Sequence, residues 1–381
     1  MVILNLKLDN ILAFNDFTIN FSYPRKLKQS TIENEALSSL PRFRYKKLNI
    51  FMGSNASGKT SLIKSIWSIM LFLCRKEKIH LQNIANLNQE ESFVELDCVI
   101  KEYGFDTLYR IKIRTQNKVE PFRVEVAFNK IVLSQIDSYE SCCKKLDASE
   151  YIFDDYIKTL DSLNFNDSID WSVMLPATEA AFDKMHFPEF LNENESNDYI
   201  RILNNVLKTL DPAIIEITRS QDARNAYVVK HENVGSIIVQ EQNRLASIPC
   251  LSSGTKYGFN IANIFFYIKH QRNGIYLIDE QFSYIDSEIE KAIIAKLAYM
   301  LGDDEQLFIT THNHEVANMN LPLHSYYFLN KEKTEDGRQI LVNCASDIEN
   351  RNNVAAKSII DNDLFGISPD LNGILGIGDE L

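Results

Sequence analysis

A glycine-rich run near residue 55 is the part of the sequence with the clearest chemistry. It fits the pattern G-x-x-x-x-G-K-[ST], with a short apolar stretch at 47–52 before it and apolar residues at helical spacing after it. Glycines let a loop bring its N–H groups close to phosphate oxygens, and the positive end of the following helix adds attraction. The run therefore predicts a phosphate-binding loop that consists of Gly53, Ser54, Asn55, Ala56, Ser57, Gly58, Lys59 and Thr60.

An acidic pair ends an apolar run in the last third of the chain. The residues at 275–278 are all apolar, which is typical of a strand buried on both faces, and Asp279 and Glu280 follow directly. Ligands of open α/β sheets bind at the carboxyl ends of the strands. We therefore expect Lys59 to contact the β- and γ-phosphates, and Thr60 and Asp279 to hold Mg²⁺. Glu280 is expected to orient or deprotonate the attacking water.

The last third of the chain, which contains the acidic pair, alternates between helix-like and strand-like patterns. Such alternation, together with the motifs, predicts an α/β fold with a mostly parallel sheet and helices on its faces. The predicted elements of this part are a helix from about 254, a strand at 274–279, a helix at 287–301 and strands at 306–310 and 325–330.

The rest of the chain is mostly strand-like before residue 135, helical with polar loops from about 136 to 212, and strand-like again at 214–218, 226–230 and 236–239. Strands are predicted at 2–8 and 17–22, and three more near 92–100, 107–114 and 122–134 make a β-rich stretch, which the resemblance described below identifies with an antiparallel lobe. We divide the chain into an N-terminal lobe at 1–135, a helical insertion at 136–212 and a C-terminal lobe at 213–381.

Three further motifs resemble those of the ABC/SMC ATPase superfamily of P-loop NTPases. The run L-S-S-G-T at 251–255 resembles the signature loop L-S-G-G-Q, with departures at Ser253 and Thr255. The run S-Y-I-D at 283–286 lies where that family has its D-loop, and the strand at 307–311 ends in His312, as a switch histidine would. An ordinary helix cap is the alternative for the signature run taken alone.

The resemblance implies roles for these residues and a second copy of the chain. Ser252 and Gly254 would act on the ATP of the opposite subunit, and Asp286 would couple the two sites. His312 would sense the γ-phosphate. The implied cofactors are ATP and Mg²⁺, and the implied assembly is an ATP-sandwich dimer or a higher oligomer. A metal pair of His312 and His314 is the alternative, although no third ligand is evident.

Two further assignments concern the nucleotide. Gln135 follows the last strand of the antiparallel lobe and is a candidate for the Q-loop glutamine that meets Mg²⁺. The segment from Asn10 to Phe17 is a candidate for an aromatic or backbone contact to adenine.

Several details resemble the OLD-like stand-alone ATPases of bacterial anti-phage systems, found in retron, Septu-like and abortive-infection operons. These are the G-x-N-x-S-G-K-T form of the loop, the S-S-G-T form of the signature and T-T-H-N at 310–313. The leucine-histidine-proline of many members is missing, and since too few residues follow Tyr326 for the Toprim nuclease that OLD proteins append, we expect no such domain here. The resemblance implies a regulatory ATPase that controls a separately encoded effector such as a nuclease or toxin. The alternatives are a RecF- or SMC-like DNA-repair ATPase and a transporter subunit.

Composition limits the partners. The net charge of -12 argues against general binding to nucleic acid, so any such contact needs a local basic patch. No apolar run reaches the roughly 18 residues of a membrane span. No signal-peptide pattern opens the chain, and the six cysteines lack metal spacing, so we expect a cytoplasmic protein without a membrane partner. The candidate patch, which could equally be a solvated rim, consists of Arg25, Lys26, Lys28, Arg42, Arg44, Lys46 and Lys47.

Overall fold

The computed structural model of the chain describes residues 1–23, 30–163, 171–174, 187–223, 225–241, 251–270, 274–282, 285–334, 337–348 and 356–366. The strands, in chain order, are β1 (Val2–Asp9), β2 (Phe17–Asn20), β3 (Ala36–Leu37), β4 (Leu40–Arg44), β5 (Leu48–Met52), β6 (Glu91–Glu102), β7 (Phe105–Gln116), β8 (Arg123–Val132), β9 (Asp154–Asp155), β10 (Trp171–Met174), β11 (Ile214–Arg219), β12 (Ala226–His231), β13 (Gly235–Gln240), β14 (Ile275–Asp279), β15 (Gln306–Thr310), β16 (Tyr326–Thr334) and β17 (Gly337–Cys344).

The helices connect these strands and cover the sheets. Among the described residues, short 3₁₀ helices lie at His314–Asn318 and Leu323–Ser325. The α-helices are α1 (Lys59–Arg75), α2 (Ile79–Gln82), α3 (Tyr139–Asp147), α4 (Tyr156–Ser162), α5 (Glu193–Leu210), α6 (Ser253–Lys269), α7 (Ser287–Met300), α8 (Ala345–Ile348) and α9 (Ala356–Asp361). Within the described residues, no helix combines the length and the apolar character that crossing a bilayer requires.

A mostly parallel sheet forms the centre of the fold. Its strand order is β10-β14-β15-β5-β16-β17, and every neighbouring pair is parallel except the last, which is antiparallel. The strands β5, β14 and β15 are buried at every position, as continuous apolar runs predict for strands covered on both faces. The predicted mixed α/β fold with a mostly parallel sheet is confirmed, and it places the carboxyl ends of β5, β14 and β15 at one edge.

A second, antiparallel sheet packs over the first with helix α1 between them. Its order is β2-β1-β6-β7-β8-β9. One continuous core joins Leu62, Ile66 and Met70 of α1 to residues of both sheets, such as Leu277 and Ile111. The opposite face of the parallel sheet is covered by α6, α7 and α9. Helix α1, which begins at the P-loop, is therefore held on two sides by packed side chains.

The segment 136–212 differs from the predicted helical insertion. It contains α3, α4 and α5, but also β10, which pairs with β14 in the central sheet with Met174 opposite Ile278. Part of this segment thus belongs to the core and ends at the same sheet edge as Asp279. The helices α5 and α6 pack against a separate small sheet of β11, β12 and β13.

Candidate functional site

The P-loop connects β5 to α1 through two glycines with positive φ. Gly53 has φ 153° and Gly58, which caps α1, has φ 102°. A Cβ atom on Gly53 would lie 2.3 Å from the carbonyl oxygen of Leu329, and one on Gly58 would lie 2.6 Å from Ile340 Cδ1. Gly53 has no room for a side chain because a backbone oxygen of β16 lies against it, whereas at Gly58 the positive φ is what favours glycine, since the tip of the Ile340 side chain could move.

The Lys59 side chain lies inside this loop. Its ammonium donates to the carbonyl oxygens of Gly53 at 2.9 Å and Ser54 at 3.0 Å. Burial lowers the pKa of Lys59, and the nearby charges of Glu280 and Asp279 oppose that shift. The Ser57 hydroxyl is also buried and has no hydrogen-bond partner among the described residues. The loop therefore presents buried donors that suit an anionic ligand.

Asp279 joins the P-loop helix to the central sheet. Its Oδ1 atom accepts hydrogen bonds from the hydroxyls of Thr60, at 3.3 Å, and of Thr310 on the neighbouring strand. Its Oδ2 atom is buried and has no partner among the described residues. Burial is the main reason that the pKa of Asp279 is raised. The two predicted metal ligands, Thr60 and Asp279, are thus brought together beside an unsatisfied carboxylate oxygen.

Glu280 is turned out of the strand and held by His312. Its φ is +50°, a conformation that costs a non-glycine residue about 1 kcal/mol. Its backbone N–H bonds to Thr310, and its Oε1 atom lies 2.7 Å from His312 Nε2. This hydrogen bond is the largest reason that the pKa of Glu280 is lowered. Because an ionised carboxylate only accepts, His312 Nε2 carries the proton in this contact. The two predicted catalytic residues are therefore in direct contact.

A cavity of about 420 Å³ opens beside this pair. Its walls come from the ends of β14 and β15 and from the first turn of α7. The lining residues are Glu280, Phe282, Ile285, Ser287, Glu290 and residues 310–313. The described residues contain no group of three or more His, Cys, Asp and Glu side chains placed to hold a metal ion, so His312 and His314 lack a third ligand there.

The signature and D-loop residues lie elsewhere on the molecule. Ser252 caps α6 by accepting from the N–H of Thr255 at 3.1 Å, and Thr255 donates to Asp211 at the end of α5. Gly254 is in the first turn of α6. Asp286 is exposed and caps α7, while Ser283 and Tyr284 lie outside the described residues. In the described part of the chain, no hydrogen bond of Ser252 or Asp286 reaches the P-loop.

Gln135 is not brought to the site. Its amide donates to the carbonyl oxygen of Ser39 at 2.8 Å. The adjacent Ser38 bonds to Asp304, which precedes β15 and so lies at the amino end of the parallel strands. Asp279 is at their carboxyl end, about 16 Å away for a five-residue strand. The predicted Mg²⁺ role of Gln135 is therefore wrong in this structure, because the antiparallel lobe ends on the opposite edge of the sheet.

The structure does not bear out the predicted basic patch at Lys46 and Lys47 or the predicted aromatic contact to adenine. Lys46 and Lys47 are buried, and their ammonium groups donate to backbone carbonyls such as those of Asn20 and Leu301. They cannot join a surface patch, and Arg25, Lys26 and Lys28 lie outside the described residues. Phe14 and Phe17 are buried in the core with ring centroids 4.4 Å apart, so neither ring is free to stack on a base.

Two residues that the sequence analysis missed belong to this site. Thr310 bonds to both Asp279 and Glu280, and Glu290 bonds to Thr311 and Asn313 on either side of His312. A signal for Glu290 existed, because it is an acid within the apolar stripe of α7 that also contains Ile293, Ile294 and Leu297. An acid at such a position indicates a buried polar contact.

We expect Asp279→Asn to raise the thermal unfolding midpoint of the protein at neutral pH without metal or nucleotide. Because the folded pKa of Asp279 is raised, its ionisation costs stability only above the ordinary value of 3.8. The destabilisation grows as pH rises above 3.8 and is complete above the folded pKa, so the advantage of the variant should shrink on acidification and vanish below 3.8. Thermal melting as a function of pH measures this difference.

The exposed Asp303→Asn is the matched control for this prediction, since it removes one carboxylate at the opposite end of β15. It should leave the midpoint close to that of the wild type. An Asp279→Asn protein that melts below the wild type at every pH would contradict the burial cost.

Comparison with solved structures shows which fold this is. An SMC head bound to the C-terminal winged-helix domain of ScpA aligns over 91% of this chain and 99% of its own, with a TM-score of 0.50 and 14% identity. An SMC head from Thermotoga maritima aligns over 89% of this chain and 98% of its own, with 14% identity and a TM-score of 0.39.

A third head, with an extended coiled coil and bound to the C-terminal domain of ScpA, from Pyrococcus furiosus, aligns over 95% of this chain and 99% of its own, with 11% identity and a TM-score of 0.49. No protein-family model matches the sequence, and no curated protein matches it. On the first of these likenesses, the chain has the fold of an SMC head domain.

Proposed function

We propose that this chain binds ATP with Mg²⁺ and hydrolyses it, as a P-loop ATPase of the ABC/SMC type. The observation that carries this proposal is the meeting of Lys59, Thr60 and Asp279 at the sheet edge where Glu280 contacts His312. The likeness to an SMC head supports the same class.

The residues of the loop fit the proposed ligands. Buried polar atoms without partners cost about 1–3 kcal/mol each, and Ser57 Oγ and Asp279 Oδ2 are two such atoms at the P-loop. Mg²⁺ is usually held by one or two carboxylates together with phosphate oxygens, which Asp279 and the Thr60 hydroxyl can complement. When bound there, the ion would neutralise negative charge on the phosphates.

The remaining chemistry belongs to side chains of this chain. Lys59 places a positive charge inside the loop, where it stabilises charge on the phosphates. The lowered pKa keeps Glu280 ionised at neutral pH, so its carboxylate can orient a water and accept its proton. His312 holds the carboxylate of Glu280 in place and itself faces the cavity.

A second copy of the chain completes the proposed site. Ser252, Gly254 and Asp286 are tied to helices α6 and α7 rather than to the P-loop of their own chain. Ser252 and Gly254 begin a helix, whose N–H groups and positive dipole end attract phosphate. This arrangement supports an ATP-sandwich dimer in which each signature turn faces the nucleotide of the other subunit.

Lys59→Ala is expected to weaken ATP binding at least tenfold. Hydrogen bonds to charged groups contribute roughly 1.5–3 kcal/mol, and 1.4 kcal/mol corresponds to a factor of ten in affinity. Isothermal titration with ATP and Mg²⁺ measures the change. Lys101→Ala, which removes an exposed lysine from β6, is the control and should bind as the wild type does. Unchanged affinity in Lys59→Ala would refute the phosphate-loop proposal.

Glu280→Gln is expected to retain ATP while hydrolysing it roughly 10²–10⁴-fold more slowly, because the general base is lost. The variant should accumulate as a dimer with ATP and Mg²⁺, as measured by light scattering coupled to gel filtration. The same variant combined with Lys59→Ala is the control and should not respond to ATP. A single species of unchanged mass in all samples would contradict ATP-dependent dimerisation.

We further propose that the ATPase regulates a separately encoded effector, such as a nuclease or toxin, in a bacterial anti-phage system. This finer proposal rests on the motif variants at 53–60, 252–255 and 310–313. The SMC head solved with a winged-helix domain of ScpA is an example of this fold with a bound partner domain. Burial of Lys46 and Lys47 weakens the alternative, a RecF- or SMC-like ATPase that acts on DNA.

A tagged pull-down from the native host, followed by mass spectrometry, separates these two proposals. We expect a nuclease, toxin or reverse transcriptase to remain bound, and to be lost from the Lys59→Ala protein if ATP controls the contact. Recovery of DNA and repair proteins alone would contradict the effector proposal and favour the DNA-acting alternative.

A further inference from the structure

Glu290 is a buried carboxylate in the first turn of α7 that the proposed hydrolysis does not directly use. Only 2% of the surface of Glu290 is exposed to solvent. Its Oε1 atom accepts from the Thr311 hydroxyl at 2.7 Å, and its Oε2 atom accepts from the Asn313 amide at 2.7 Å. The carboxylate also lines the cavity beside Glu280.

These two hydrogen bonds lie on either side of His312. Thr311 also donates its backbone N–H to the carbonyl oxygen of Phe51, and its hydroxyl accepts from the N–H of Asn313 at 3.0 Å. Asn313 cannot simply flip, because its Oδ1 atom already accepts from the N–H of Glu315. The backbone that carries His312 is therefore held at both of its neighbours by one carboxylate.

The Thr311 hydroxyl and the Asn313 amide both donate, so the side chain between them must accept two hydrogen bonds. An ionised carboxylate is acceptor-only, and here it meets a hydroxyl and an amide that both donate. No lysine, arginine or histidine forms an ion pair with Glu290 within the described residues, and burial raises its pKa. A carboxylate buried without a cation is costly for stability when it is ionised, so its position suggests a role beyond packing.

Glu290 also belongs to the helix that begins at the D-loop. Its backbone N–H donates to the carbonyl oxygen of Asp286 at 2.9 Å, and the Asn313 amide donates to Ser287 Oγ at 2.7 Å. A displacement of the first turns of α7 would therefore pull on the residues that flank His312. Since His312 Nε2 bonds to Glu280, the same displacement reaches the proposed general base.

We infer that Glu290 is a positioning residue that sets His312, and through it Glu280, relative to the start of helix α7. This inference deepens the proposed function and rests on it for the hydrolysis measurement alone. If Glu290 has this role, it connects the exposed Asp286, which a second copy would contact, to the Glu280–His312 pair through hydrogen bonds.

The test compares Glu290→Gln with the unsubstituted chain in two measurements. A glutamine has one acceptor and one donor group, so it can keep only one of the two hydrogen bonds in its present sense. We expect kcat to fall roughly ten- to a hundredfold, because small misplacement of a catalytic group is costly, while KM for ATP changes less than twofold. The ring signals of His312 in ¹H–¹³C NMR without nucleotide, assigned with His312→Ala, should shift.

Glu305→Gln is the matched control. Glu305 is also a buried carboxylate with a raised pKa, and it accepts from Tyr276 and the N–H of Gly302, but it lies at the opposite edge of the sheet. It should leave both kcat and the His312 signals unchanged even if it lowers the unfolding midpoint. Unmoved His312 signals in Glu290→Gln, or equal effects of the two variants, would overturn the inference.

A double variant separates action through His312 from an independent effect. If Glu290 acts through His312, then Glu290→Gln combined with His312→Ala should be no more than twofold slower than His312→Ala alone. Multiplied losses would overturn the inference. A wild-type chain that does not hydrolyse ATP would refute the proposed function instead, and the NMR comparison would still decide the role of Glu290.

Discussion

The buried carboxylate of Asp279 is the contact on which the geometry of the site depends. It terminates β14, accepts from Thr310 on β15 and accepts from Thr60 at the start of α1. Through these two hydrogen bonds, the Asp279 side chain connects helix α1 to the edge of the sheet. An ionised group in this place destabilises the free protein, and its hydrogen bonds and the cation that it is proposed to hold offset part of that cost.

The two sheets make this arrangement rigid. Helix α1 is packed on both sides, so the end that carries Lys59 and Thr60 cannot drift relative to the strand ends. The P-loop itself passes so close to β16 that Gly53 has no room for a side chain. The groups proposed to hold phosphate thus lie on short loops whose positions are set by a close-packed frame, and such support gives a site the precision that the proposed chemistry requires.

The residues around Glu280 form a second, more exposed layer. His312, Thr311 and Asn313 connect the general base proposed here to α7, and α7 begins at an exposed aspartate. The signature turn is tied instead to α5 through Asp211. The groups proposed to hold a nucleotide are therefore separate from those proposed to reach the nucleotide of another copy, and helix α7 connects the exposed Asp286 to the residues that flank His312.

Sequence alone determined the features that depend on neighbouring residues. The P-loop, the acidic pair, the strands β5, β14 and β15 and the antiparallel lobe were predictable, because periodicity and local spacing report directly on burial and turns. Only the tertiary structure decided which distant groups meet. It placed β10 beside β14, Gln135 at the far edge of the sheet, and Lys46 and Lys47 in the interior. It also joined Glu290 to the neighbours of His312. These outcomes depend on strand order and on packing between segments that lie far apart in the chain, which no local pattern encodes.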